Sequence, residues 1–210
     1  MDFGFFNNMQ EFILFVEENW ISITGAIIGL LYLYFEYKAR IWMWPVSIVM
    51  SAFYIYIFYS TQLYASMGIY CYFLIASVYG WAMWTTKARD ESTGNHIITH
   101  IPKRNVLPMI TGIVFIFGLI YFVLMRYSID QSYITIGDAF TTSLNIVALW
   151  MASRKWAEQW LLLVPANAIS SCLLFIQGDV MSGCLFIVFF IVSIFGYFKW
   201  KRLSSTKITS

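Results

Sequence analysis

Charge is what this chain has least of. Only 11% of its 210 residues are Asp, Glu, Lys or Arg, against about 25% in a soluble globular domain. So little polar surface cannot cover a water-soluble particle. Cysteine is also scarce. Cys71, Cys172 and Cys184 fall inside apolar stretches and form neither a CxxC pair nor a spaced framework, so they read as small buried hydrophobes. Nucleotide-binding glycine loops, a nucleophile elbow and an HExxH helix are all missing. Without an ATP-binding domain the chain alone cannot drive primary active transport. No enzymatic activity, cofactor or nucleic-acid partner is expected. His96 and His100 stand at i, i+4 without a third ligand, so no metal site is expected. The first residues are acidic (Asp2, Glu11, Glu17, Glu18) with no basic segment among them, and a cleaved secretory signal is not expected.

What the chain has instead is hydrocarbon: 60% of residues are hydrophobic and 20% aromatic. Crossing about 30 Å of lipid takes roughly 20 helical residues. Seven stretches qualify: Trp20–Lys38, Ile41–Tyr59, Leu63–Thr85, Val106–Tyr127, Ile136–Ala152, Trp156–Ile176 and Met181–Trp200. They are continuous apolar runs, not alternating ones, which argues against a barrel and leaves helices to satisfy the backbone in lipid. The expected class is an all-α integral membrane protein with seven transmembrane helices. Ahead of the first span, Phe5, Phe6, Met9, Phe12, Ile13 and Val16 recur at helical spacing. Residues 1–19 are therefore expected to form an amphipathic helix on the membrane surface.

The second half of the chain repeats the first. At an offset of 116, the distance from position 44 to position 160, Trp44 falls on Trp160, Gly80 on Gly196 and Trp84 on Trp200, with no gap. Lys38 falls on Arg154 and Ala52 on Ala168. A copied hydrophobic unit of about three helices is the sign of a transporter built from matching halves, with its site where they meet. All 13 basic residues except Arg126 fall at the ends of spans one, three, five and seven or in the segments that follow. That side is cytoplasmic by the positive-inside rule, with the N-terminus outside and the C-terminus in the cytoplasm. Span four turns the chain around, so span five enters from the same side as span one, and the halves are expected as parallel repeats about an axis along the membrane normal. The expected division is a surface segment at 1–19, a first repeat at 20–87, a loop and linker helix at 88–135, a second repeat at 136–203 and a tail at 204–210.

Polar groups inside hydrocarbon are costly and mark functional positions. In span five Asp138, Thr141, Thr142 and Asn145 fall at i, i+3, i+4 and i+7 and make one stripe. In span six Trp160 and Asn167 share a face, Ser170 and Ser171 continue it, and Pro165 interrupts the backbone ladder. The candidate substrate-binding residues are Trp160, Asn167, Asn145, Tyr70, Asp138, Thr142 and Trp44. Amides would pair with ligand hydroxyl and amide groups, and aromatic faces would hold an aromatic or cationic ring. For each Ser and Thr the competing role is to bind helix to helix. Trp84 and Trp200 read as interfacial belt residues, and Glu36, just before Lys38 and Arg40, as one arm of an interfacial ion pair.

Three segments together carry a family resemblance: Trp44-Pro45, Leu63-Tyr64-Ala65-Ser66 and Tyr79-Gly80-Trp81-Ala82-Met83-Trp84. A fourth runs from Asp138 to Asn167, DAFTTSLNIVALWMASRKWAEQWLLLVPAN. The chain resembles the PnuC family of bacterial vitamin-precursor transporters from about Trp20 to Trp200. The resemblance implies seven helices in a three-one-three arrangement, similar to SWEET sugar transporters, in the bacterial inner membrane. It implies facilitated diffusion of an unphosphorylated vitamin form, trapped inside by a cytoplasmic kinase. The founding substrate is nicotinamide riboside, and related branches carry thiamine or riboflavin.

Asn167 matches the nicotinamide riboside pattern, but three positions depart from it. Tyr70 stands where that pattern has Gln, Leu163 replaces the second Trp of a WxxW that begins with Trp160, and Leu185 replaces a Tyr of span seven. The expected ligand is nicotinamide riboside, with thiamine, another flat cation, as the alternative. A sugar or other small-solute carrier on the same scaffold is the competing class. The oligomeric state stays open, a homo-oligomer included.

Overall fold

The computed structural model describes residues 9–62, 64–86, 98–127 and 133–205. Seven helices follow one another: α1 Met9–Tyr37, α2 Met43–Ser60, α3 Tyr64–Thr86, α4 Lys103–Tyr127, α5 Tyr133–Ser153, α6 Gln159–Ile176 and α7 Val180–Ser205. All seven are long and apolar enough to cross a membrane. Their ends lie within a few residues of the expected spans except at the start of α1. No strand forms among the described residues; the one β-bridge joins Thr99 to Trp156.

At the start of α1 the helix runs unbroken from Met9 through the expected boundary at position 20, so residues 9–19 are continuous with the span. The reason is local. No Pro or Gly interrupts residues 9–24, and the Asn19 amide donates to the Phe15 carbonyl at 2.9 Å, inside the helix, where it caps nothing. Residues 1–8 lie outside the described part, as does His96. His100 is engaged: its Nδ1 sits 2.7 Å from Glu158 Oε1 and its Nε2 2.8 Å from Ser204 Oγ.

Matched positions of the two halves fold alike. Left-handed residues follow α1 at Ala39 (φ 51°) and α5 at Lys155 (φ 63°), 116 positions apart. Gln62 (φ 60°) after α2 and Gly178 (φ 83°) after α6 are the same distance apart. In each pair the turn N–H returns to the same carbonyl: Ala39 to Glu36 and Lys155 to Ala152, both at 2.9 Å. These turns close helix ends whose last carbonyls have no partner within the helix.

Six helices make a closed ring. α1 packs on α2, α2 on α3, α3 on α5, α5 on α6, α6 on α7, and α7 back on α1. α4 packs on α5 alone among the helices. Its Met109, Ile113 and Ile116 meet a core of Val147, Met151 and Trp156. Leu107, Val114, Phe115 and Phe122 are exposed, as lipid-facing side chains are.

The left-handed turns give a first prediction. Gln62 is exposed and holds a backbone conformation that costs an L-residue ~1 kcal/mol and glycine nothing. Gln62→Gly, which copies Gly178, should raise the melting temperature of the purified protein in detergent. An unchanged or lower melting temperature would contradict this account of the turn.

Candidate functional site

Four tryptophans close one end of the ring. Trp44 begins α2, Trp160 begins α6, Trp84 ends α3 and Trp200 lies near the end of α7. All four are 0% exposed. Their rings form a row of contacts, with centroids 5.7 Å apart for Trp44 and Trp84, 6.3 Å for Trp84 and Trp200 and 5.8 Å for Trp200 and Trp160. Glycines make room for the outer two. A Cβ on Gly80 would strike the Trp44 ring, and one on Gly196 would come within 2.7 Å of Trp160. The inner two cross the seams of the ring. Trp84 donates its indole N–H to the Ala152 carbonyl at 3.0 Å, and Trp200 donates to the Glu36 carbonyl at 3.1 Å. Positions 36 and 152 are again 116 apart.

Next to this plug lies a cavity of about 190 Å³, lined from all six ring helices and not from α4. Leu33, Leu149, Leu163 and Phe189 line it and also pack against the tryptophan core. The first half brings Tyr32, Glu36, Ser47, Ser51 and Tyr70 to the lining; the second brings Asn145, Asn167 and Ser193. Most lining positions pair at the repeat offset, but the side chains differ: Gly29 against Asn145, Tyr32 against Ala148, Ser51 against Asn167, Tyr70 against Phe186. The cavity is thus built from matched positions and furnished unequally. Its polar groups are tied to the helices behind them. Asn167 donates to Ser193 Oγ at 3.0 Å, and Ser193 donates in turn to the Phe189 carbonyl at 2.7 Å. Ser47 and Ser77 hydroxyls meet at 2.7 Å in the first half.

Of the expected site residues, Tyr70, Asn145 and Asn167 line this cavity together. Trp44, Trp160, Asp138 and Thr142 do not. The two tryptophans are seated in the plug against Gly80 and Gly196. Asp138 precedes Asn145 by seven residues, about 10 Å along a helix, and is exposed near the start of α5. Thr142 is half-buried one turn before Asn145. The α5 stripe therefore meets the cavity only at its Asn145 end. Ser171 holds α6 to α7 by donating to the Gly183 carbonyl, and Thr141 donates to the Asp138 carbonyl within α5.

Sequence reasoning missed Tyr32 and Glu36. The expected interfacial ion pair at Glu36 does not form: Lys38 lies over the Tyr34 ring at 6.0 Å, and Glu36 is 3% exposed in the cavity wall. The ring turns Glu36 inward, because its own helix face (Gly29, Tyr32, Leu33, Glu36) is the inner one. That spacing, i, i+3, i+4, i+7, was a signal present in the sequence. The belt reading of Trp84 and Trp200 also fails, since both are fully buried.

A family model described as "Nicotinamide mononucleotide transporter" matches residues 19–202. The chain belongs to this family. The "Nicotinamide riboside transporter PnuC" of Escherichia coli (strain K12) is 24% identical over 204 residues, covering 87% of this chain and 85% of the relative. The "Riboflavin/roseoflavin transporter RibM" of Streptomyces davaonensis is 24% identical over 200 residues, covering 92% and 90%. A solved structure, "Crystal structure of the Vitamin B3 transporter PnuC", matches with a TM-score of 0.74 at 19% identity, covering 94% of this chain and 87% of that one. The last likeness speaks to the fold. The PnuC resemblance in the sequence is therefore a true membership, and the chain is a multi-pass membrane transporter of that family.

The plug gives a second prediction. Gly196→Val pushes a side chain into the Trp160 ring and should lower the melting temperature, with overpacking costing about 1–3 kcal/mol. Gly68→Val, at a position with nothing within 4 Å, should leave it nearly unchanged. Equal effects would mean that the close approach of Gly196 and Trp160 is not what holds this end together.

Proposed function

We propose that this protein carries an unphosphorylated vitamin precursor, nicotinamide riboside first, across a bacterial cytoplasmic membrane by facilitated diffusion. The observation that carries this reading is the cavity, where six helices present Asn145, Asn167 and Tyr70 to one space. The two amides suit hydroxyl and carboxamide groups, and Tyr70 with Phe73 suits a flat ring. Among the described residues the lining holds no Lys or Arg and one carboxylate, Glu36. A phosphate there would meet negative charge and no cation, which favours a riboside over the mononucleotide of the family's description.

Alternating access fits the same parts. The matched bonds of Trp84 and Trp200 support two parallel halves that rock about an axis along the membrane normal. The basic residues at this end support its being cytoplasmic, with the N-terminus outside and the C-terminus inside. The tryptophan plug is then the inner gate. Such a carrier only equilibrates its substrate, so net uptake needs a cytoplasmic kinase that adds charge to the product. Thiamine is the second reading. Tyr70 and Leu163, two of the three departures from the nicotinamide riboside pattern, both line the cavity, so the ligand-facing surface itself has changed.

The test is calorimetry on purified protein with nicotinamide riboside, nicotinamide, thiamine, riboflavin and a sugar panel, followed by uptake into vesicles. One vitamin precursor is expected to bind, and uptake should run without ATP or a pH gradient. A strict requirement for a proton gradient would remove facilitated diffusion, and binding only to sugars would remove the vitamin reading. Asn167→Ala should weaken binding by about tenfold, the worth of one or two lost hydrogen bonds, while the protein still inserts. Wild-type affinity in that variant would take Asn167 out of the site.

A further inference from the structure

We propose that Glu36, oriented by Tyr32, is the counter-ion that makes this cavity select a flat ring carrying one positive charge over its neutral isostere. The inference rests on the transport reading above and adds the charge its substrate must have.

Glu36 is 3% exposed, lines the cavity, and is the only charged side chain in the lining among the described residues. Two contacts fix it. The Tyr32 hydroxyl donates to Glu36 Oε1 at 3.3 Å from one turn back on α1. The Glu36 backbone carbonyl accepts the Trp200 indole N–H at 3.1 Å, which pins this turn of α1 against α7. Three lysines at this end lie over aromatic rings. Lys199 lies over Tyr37 at 3.9 Å, Lys155 over Trp84 at 5.3 Å and Lys38 over Tyr34 at 6.0 Å. Among the described residues none forms an ion pair with Glu36.

A carboxylate held in an apolar chamber within the membrane is costly until a cation meets it. Here the chamber is walled by Tyr70, Phe73, Phe186 and Phe189, whose ring faces attract cations. A ring that carries its own positive charge and lies against these faces supplies what Glu36 lacks. A neutral ring of the same shape leaves the carboxylate unmet, and an anionic ligand adds repulsion. The position paired with Glu36 at the repeat offset is Ala152, so the charge is single and the ligand takes one orientation.

The test compares pairs that differ in charge and little else: nicotinamide riboside with its neutral dihydro form, and thiamine with its neutral 3-deaza analogue. Affinities are measured by calorimetry on the full-length protein in nanodiscs. In the pair that binds, the wild type should prefer the cation by about tenfold or more. Glu36→Gln should remove most of that preference by weakening the cation alone, and Glu36→Asp should keep its sign. Equal wild-type affinity for both members, or an undiminished preference in Glu36→Gln, overturns the inference and leaves vitamin transport standing. Binding of neutral riboflavin with neither pair bound overturns the inference and leaves vitamin transport standing, whereas binding of no vitamin overturns both. The wild-type comparison needs no substitution, so equal affinities overturn the inference even where Glu36→Gln does not fold; there Glu36→Asp, which draws the carboxylate back from the ring, should lower the preference, and an unchanged preference overturns the inference.

Discussion

Two indole hydrogen bonds close the ring of helices. The contacts of α3 with α5 and of α7 with α1 are the seams where the first three helices meet the last three. Each seam is crossed by a buried indole bond, Trp84 to Ala152 and Trp200 to Glu36, and Tyr72 adds a bond to the Ile146 carbonyl between α3 and α5. The accepting carbonyls are available because α1 and α5 end there, beyond the reach of the helical ladder. Each already accepts the N–H of a left-handed turn residue, Ala39 or Lys155, and the indole takes the second lone pair. The plug depends on that geometry, and so do the glycines opposite Trp44 and Trp160 and the chamber they floor. In a medium with no water to replace a lost partner, such bonds decide which helix ends can face each other.

The architecture was largely legible in the sequence, because in lipid the rules are few. Seven apolar runs became seven helices, and the 116-residue offset reappeared in the backbone at Ala39 and Lys155 and at Gln62 and Gly178. The start of α1 was not legible, since acidic residues on a helix read as a surface face even when the helix simply continues. The cavity lining was legible in part. Asn167 and Asn145 announced themselves as amides amid hydrocarbon, and both face the chamber. Asp138 and Thr142 lay on the same stripe, but a stripe fixes direction around a helix and says nothing about depth. Lys38 and Arg40 follow Glu36 closely, but nearness along the chain is not pairing in space. The offset that revealed the repeat could also have pointed to Ser51, which stands where the second half has Asn167.

Duplication and inequality divide the work of the molecule. Matched residues form the frame: the four tryptophans, the glycines beneath them, and Ser77 and Ser193, each donating to the carbonyl four residues earlier. The lining combines matched residues, Leu33 with Leu149 and Phe73 with Phe189, with unmatched ones. Tyr32 and Glu36 come from the first half, Asn145 and Asn167 from the second. Matched positions that carry different side chains give the cavity two unlike ends.

α4 stands apart from both sets. It touches one neighbour, through Met109, Ile113 and Ile116, and the rest of its surface needs only to stay greasy. Packing against the ring therefore constrains one narrow strip of this helix. The helix is also the part of the chain where a fluorophore or an added span could be grafted without disturbing the ring.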